Sequence, residues 1–422
     1  MAPALRIWPN VMISVAIMVA AAAQGTSREG ATRCDLTVSL ANASVASTVI
    51  QAFLNASVTG SIRSATVCLP QNLATEPFAL TGISVPSSFA LKVVGGSSQS
   101  FAFCEVTCFN VNGALSLTLI DLNFTFGRVY QGVVGGSLGY FCATRVYFGS
   151  GYSGNHAVDI TAMNIVVSDC IFSTHTAYGT GTFGAMRAAP GGCNNCANPN
   201  DYVKGSTVTI TNSVFIGCDA DGVAESGVGG ALTLSQFDNV LIDSCNFTDN
   251  IAGQGAGAVA VYGNSLLILN TTFIENFMDD AGPLWLYGGA LSFAGNSLSI
   301  STSYFGYNVD GCGGPAIAAS CVCGNNNGSL SSMSCFHISD SVFEYNTIGS
   351  SVPNCYHQNT GPYPMFAGIN GTVLYSGGDA TMLPPIVTNV KFKDNSCYAV
   401  LCADFVYISS IFYSRYPPPR SN

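Results

Sequence analysis

The chain has 422 residues and a formal net charge of −10, yet only 9% of it is charged, against about 25% in an average soluble protein. Gly, Ser, Thr and Asn supply the polarity while β-branched and aromatic residues stay plentiful, which excludes a disordered chain. Residues 205–390 hold 13 Asp and Glu and no Lys or Arg, so a groove there repels pectate, alginate, glycosaminoglycan and nucleic acid.

Residues 1–10 carry one cation, Arg6, and residues 11–23 form an unbroken apolar run ending in alanines. This pattern predicts a signal peptide over residues 1–23, cleaved after Ala23. The run falls short of the roughly 20 apolar residues that a spanning helix needs. The expected localisation is secreted, extracellular or cell surface, with a mature chain not integral to the membrane. All 17 cysteines follow that point. In an exported chain they read as disulfides, with Cys193–Cys196 and Cys104–Cys108 as short-loop candidates, in preference to zinc ligands. An odd count leaves at least one cysteine free or paired with another chain. Seven Asn-x-Ser/Thr sites, at Asn42, Asn55, Asn123, Asn246, Asn270, Asn327 and Asn370, permit a glycoprotein without arguing for one.

Residues 24–60 are expected to cap the fold, with an amphipathic helix in VASTVIQAFLN from Val45. Residues 61–410 then repeat. One element is an alternating apolar stretch closed by Phe-x-x-Asn. It stands at Phe247 and Asn250, Phe273 and Asn276, Phe305 and Asn308, Phe343 and Asn346, and Phe392 and Asn395, with degenerate copies at Phe215, Phe172 and Phe124. A second element is a small-residue turn: GGALTL from Gly229, AGAVAV from Ala256, GGALSF from Gly288. Each lies 17 or 18 residues ahead of the next repeat Phe. Copies at Gly184 and Gly314 lie about 30 ahead, and the excess is read as loops inserted at one point of the unit.

A unit of two or three short strands closes one turn of a solenoid. The expected fold is all-β: a single-stranded right-handed parallel β-helix with a short N-terminal capping helix. Phe points inward and stacks on the Phe of the next coil. Asn lies on the opposite side of the pleat or bends the chain into the left-handed region, and bonds its counterpart one coil away. The Gly-Gly-Ala turn lets backbones pass where no side chain fits. Residues 411–422, with Tyr416-Pro-Pro-Pro-Arg, read as a flexible Pro-rich tail.

The paired GGA[ILV] and FxxN motifs resemble those of the chlamydial polymorphic outer membrane proteins and related β-helix adhesins. Intact copies cover residues 229–395, and no membrane-barrel pattern stands after them. The resemblance implies an adhesin-like surface role. The opening helix and Ala65-Thr66-Val67-Cys68-Leu69-Pro70 resemble the start of pectin-lyase-like β-helices. That likeness implies carbohydrate-active chemistry, but the polygalacturonase pattern is incomplete: Asp279-Asp280 is the only D-D pair, and none of His156, His175, His337 and His357 stands in G-H-G.

No catalytic residue is assigned. Asp219, Asp221, Asp279, Asp280 and Asp310 are the carboxylates that stacked coils could bring to one face for acid–base work. Asp279, Asp280 and Asp310 are the candidate ligands for calcium, the one cofactor considered. The reading of the sequence is a non-catalytic adhesin-like or matrix protein that binds glycan or protein. The alternative is a glycoside hydrolase or lyase on neutral sugars.

Overall fold

A computed structural model of the protein describes residues 33–96, 100–126, 132–149, 151–153, 156–177, 184–191, 202–220, 228–253, 255–278, 288–310, 316–321, 336–348, 374–377, 386–395, 407–408 and 411–413. The expected signal peptide, the Cys193–Cys196 loop, Asp221, Asp279 and Asp280 lie outside them, as does residue 414 onward. Strand Ile411–Tyr413 pairs with Val390–Lys393, so the last sheet reaches three residues into the expected tail.

The architecture is an all-β parallel β-helix. Among the described residues, strands form three sheets of 18, 12 and 7, and every pairing between them is parallel. One coil runs through Leu232–Asp243 in the first sheet, Asn246–Thr248 in the second and Ile251–Ala252 in the third. The chain then enters Val259–Leu269, which lies beside Leu232–Asp243 one coil on. The interior is a single core from Val38 to Val390.

The predicted loop insertions fall within the first sheet's strand. Met186–Ala189 and Val203–Thr211 both pair with Val158–Ser168. Ile317–Cys321 and Phe336–Ser339 both pair with Leu291–Ser301. The interrupted halves keep register with the same neighbour, so an insertion leaves the solenoid intact.

Nine phenylalanines from Phe124 to Phe392 form one column. Neighbouring ring centroids are 4.4–5.7 Å apart and tilted by 5–19°. The column includes the predicted Phe215, Phe247, Phe273, Phe305, Phe343 and Phe392. Phe148 joins it without an Asn three residues on. Each stacked pair contributes about 0.5–1.5 kcal/mol beyond its burial.

The asparagines form a second column inside the core. Asn250 Nδ2 donates to Asn276 Oδ1 at 2.9 Å, and the contact recurs from Asn276 to Asn308, from Asn308 to Asn346 and from Asn346 to Asn395. Each oxygen also accepts the preceding Asn's backbone N–H at 3.0–3.2 Å. The second Nδ2 proton goes to the carbonyl of the preceding coil's Phe, as from Asn276 to Phe247 at 3.0 Å.

One expectation needs correction. The left-handed residue is the one before the Asn: Asp249, Glu275, Tyr307, Tyr345 and Asp394 have φ of 51–58°. That reversal between the second and third sheets restarts the pleat. Asn therefore points to the same side as Phe, inward, and not to the opposite one.

A third column is legible in the sequence only in its thiols: Cys170 and Cys245, like Cys218, stand near the repeat Phe and read as stacked buried thiols or inter-coil bridges. Two residues ahead of the stacked Phe stand Cys170, Ser213, Cys245, Thr271, Ser303 and Ser341, all buried. Their oxygens accept a backbone N–H from the preceding coil, as from Thr271 to Ser303 at 3.2 Å and Ser303 to Ser341 at 3.1 Å. They donate to a carbonyl two residues back, as Thr271 to Leu269 at 2.6 Å. Thiols fill the same slot: Cys170 Sγ donates to Ser168 at 3.2 Å and Cys245 Sγ to Asp243 at 3.3 Å. Cys218 takes the Asn slot, its N–H donating to Asn250 Oδ1 at 3.1 Å.

These cysteines are unbridged, and burial pushes the thiols of Cys170 and Cys245 up to about 12. A raised thiol value leaves almost no thiolate in mildly alkaline solution, and the thiolate is the nucleophile. Iodoacetamide is therefore expected to spare both in the folded protein and label both after denaturation, read by peptide mass spectrometry. Equal labelling in the two states would mean that the coils are open at that column.

The small-residue turns meet at backbone distance. A Cβ on Gly230 would stand 1.9 Å from the Gly257 carbonyl oxygen, and one on Gly257 2.2 Å from that of Gly289. Glycine is required there by the approach of successive coils.

The N-terminal end is closed by side chains that imitate a neighbouring strand. Helix Ala46–Thr59 buries Ala46, Ile50, Leu54 and Ser57. From its surface the Gln51 amide accepts from Ser84 N at 2.8 Å and donates to Ser84 O at 3.2 Å. Asp35 serves the edge of Ser64–Cys68 in the same way, accepting from Thr66 N at 2.8 Å. Asn72 does so for Ser100–Cys104, accepting from Phe101 N at 2.7 Å. Disulfide Cys34–Cys68 ties the first strand down, and Cys104–Cys108 closes the expected short loop. Edges capped this way cannot template the pairing of another chain.

Candidate binding face

The predicted acidic face does not form from its described members. Asp219 pairs with Ile251, Ile251 with Phe277, and Phe277 with Val309. Asp219 thus shares a column with Val309, three coils and about 14 Å from Asp310 along the axis. Asp310 is one residue past Val309, on the other side of the pleat, and is fully buried in line with Ala252 and Met278. Strand parity separates the two carboxylates. Among the described residues no group of three or more His, Cys, Asp and Glu is placed to hold a metal ion. His156 is buried, its Nδ1 2.9 Å from the Gly184 carbonyl oxygen, where it joins two coils.

A different constellation stands on the outside. The residue before each ladder Asn points outward at the corner between the second and third sheets. Successive coils therefore align Asp249, Glu275, Tyr307, Tyr345 and Asp394. Their backbones are linked coil to coil, Asp249 N to Ile274 O at 3.0 Å and Tyr307 N to Glu344 O at 3.1 Å. A left-handed conformation costs these non-glycine residues about 1–2 kcal/mol each. The amide ladder that follows them supplies the hydrogen bonds that hold it.

Tyr307 and Tyr345 stack with centroids 4.9 Å apart and planes 16° apart, and Tyr307 is 47% exposed. Lys393 Nζ sits 4.6 Å from the Tyr345 ring centroid. It lies 3.7 Å from a Glu344 carboxylate oxygen and 3.9 Å from one of Asp394. On the adjoining outer face of the second sheet, Tyr304 Oη donates to Glu344 Oε1 at 2.7 Å. The Tyr304 ring lies across Gly306, where a Cβ would meet its hydroxyl and ring carbons. Burial raises the Tyr304 hydroxyl above the usual phenol range, the Glu344 hydrogen bond adds to it, and the phenol keeps its proton. At the other end, Asp249 lies at the surface but is partly desolvated by its neighbours, which raises its carboxyl, and the charge of Glu275 adds to this.

The face is aromatic and hydrogen-bonding, with carboxylates at Asp249, Glu275, Glu344 and Asp394 on either side of the tyrosines. It can offer a polymer lying along the rod tyrosine ring edges, phenolic hydroxyls and negative charge. The sequence displayed these residues as the variable letters of Phe-Gly-Tyr-Asn, Phe-Glu-Tyr-Asn and Phe-Lys-Asp-Asn. The legible signal was that the second of them faces out whenever the flanking Phe and Asn face in.

No family model matches the chain. No curated protein matches it either. Among solved structures it is similar to a mannuronic acid specific polysaccharide family 6 lyase enzyme from human gut microbiota. The two are 11% identical over 86% of this chain and 82% of that one, with a TM-score of 0.31. So low a score decides nothing about the chemistry here. What the strand register defines is the class, an all-β parallel β-helix. No helix among the described residues is long and apolar enough to cross a membrane.

Proposed function

We propose that this is an exported or cell-surface β-helix of adhesin-like kind that binds glycan without cleaving it, along the tyrosine-bearing corner of the rod. The observation that supports this most is the Tyr307–Tyr345 stack, exposed at Tyr307 and joined through Glu344 and Lys393 to Tyr304. Aromatic side chains in water are costly to leave uncovered, and a Tyr pair held by its neighbours offers contact area with little rotamer entropy to lose. Asp219 and Asp310, by contrast, are kept apart by strand parity, so they are not the acid and base of one cleft.

The test is a polysaccharide binding screen with purified protein, run beside an assay for new chain ends. Binding without cleavage is expected. The Tyr307→Ala, Tyr345→Ala double variant should bind at least tenfold more weakly, about 1.4 kcal/mol, while losing only about the 0.5–1.5 kcal/mol of stability that the stack itself contributes. New reducing ends or unsaturated products would move the protein to the carbohydrate-active enzymes. Full affinity in the double variant would place the site elsewhere on the rod.

A further inference from the structure

The column of outward residues carries a cation at one end. Lys393 caps one face of Tyr345 with Glu344 and Asp394 beside it, while Tyr307 covers the other face. The column then runs on in reverse order. The ring face of Tyr307 that turns away from Tyr345 looks toward the preceding coil, where Glu275 stands, with Asp249 one coil further. All three residues are exposed. As Tyr345 has Asp394 one coil on, Tyr307 has Glu275 one coil back, but residues 205–390 contain no Lys or Arg to lie between ring and carboxylate there. Among the described residues neither Asp249 nor Glu275 makes an ion pair. Like-charged Asp249 and Glu275 on neighbouring coils repel each other, which a bound cation relieves.

We propose that this place takes the ammonium of an amino sugar, and that the ligand is a polysaccharide of de-N-acetylated hexosamine. The proposal rests on the glycan reading above and names its substrate class. A cation over a tyrosine face is attracted by the ring quadrupole. A pyranose bearing the ammonium lays its C–H face on Tyr307 while the charge reaches Glu275, with Asp249 one coil further, so two interactions come from one rigid unit. A lysine side chain brings the same charge on a flexible stem and loses more rotamer entropy on binding. A neutral sugar gains the stacking without the charge, and a uronate is repelled. The other cations of this corner, Lys391 and Lys393, lie on the last coils of the face, Lys393 already paired. The open charge at Asp249 and Glu275 is therefore negative.

The experiment is calorimetric titration of the full chain with three probes at a pH where the amine is protonated: glucosamine oligomers, their fully N-acetylated counterparts, and polylysine. The glucosamine oligomer is expected to bind, at least tenfold more tightly than the acetylated one, and to weaken as salt is added. Glu275→Gln and Tyr307→Ala should each weaken it about tenfold; both residues are exposed, so circular dichroism should be unchanged. Equal binding of the acetylated oligomer would overturn the cation and leave the glycan reading standing. Polylysine binding with the same dependence on Glu275 and Tyr307 would make the partner a basic protein segment and overturn the amino sugar. Glucosamine binding indifferent to Glu275→Gln would remove it from this site. Failure of every oligosaccharide would overturn both readings.

Discussion

Replacing Asn276 with Ala is expected to destabilise the rod by about 4 kcal/mol or more. The side chain is fully buried. Its oxygen accepts from the backbone N–H and the Nδ2 of Asn250, and its amide donates to Phe247 O and Asn308 Oδ1. Truncation leaves the Asn250 N–H, one Asn250 amide proton and the Phe247 carbonyl inside the core without partners. Each such group costs about 1–3 kcal/mol. Water has poor access, because the Phe column and the third sheet enclose the site. Denaturant unfolding measures the effect. A loss below 1 kcal/mol would mean that the amides are not bonded as described.

Phe273→Ala is expected to cost about 3–5 kcal/mol, the range for deleting a buried aromatic. Phe273 stacks on Phe247 at 4.9 Å and on Phe305 at 4.6 Å, so both contacts disappear and a void opens between them. In a solenoid each coil touches only its neighbours. The damage should therefore also divide the rod: the two sides of residue 273 lose cooperativity and unfold in separate transitions. Hydrogen exchange read along the chain tests this. Protection lost uniformly from end to end would show that the rod melts as one unit.

The sequence displayed the Phe and Asn columns because each is written with one letter. An apolar residue recurring at one point of the unit, with a polar residue always three later, leaves few alternatives to stacked coils. The Cys170 to Ser341 column was as regular but spelled with three residue types that share only a small polar atom, so only its thiols Cys170 and Cys245 stood out. The left-handed turn was set one residue late. Asn is the residue that favours that conformation, whereas here Glu275 and Tyr307 are forced into it by the amide bonds on their C-terminal side. Of the expected acidic face, Asp219 and Asp310 part for a similar reason. Counting residues after Phe-x-x-Asn does not reveal which side of the third sheet a carboxylate takes, and a shift of one residue puts Asp310 inside. The tyrosine column was hidden in the variable positions, where sidedness becomes readable only once the turn is correctly placed.

The amide ladder also has a direction. Every Oδ1 looks back toward the preceding coil, so the N–H groups of Asn250, Asn276, Asn308 and Asn346 are met by an oxygen that comes 26 to 49 residues later. The row opens at Cys218, whose backbone N–H donates to Asn250 Oδ1 and whose side chain has no carboxamide. A chain delivered N-terminus first thus completes one coil's bonding only when its successor arrives. The growing end always presents open donors in one fixed geometry, and an incoming coil bearing an asparagine at the right place fits them. Removing the coils that follow any of these asparagines would therefore bare the same two donors each time, its backbone N–H and one Nδ2 proton.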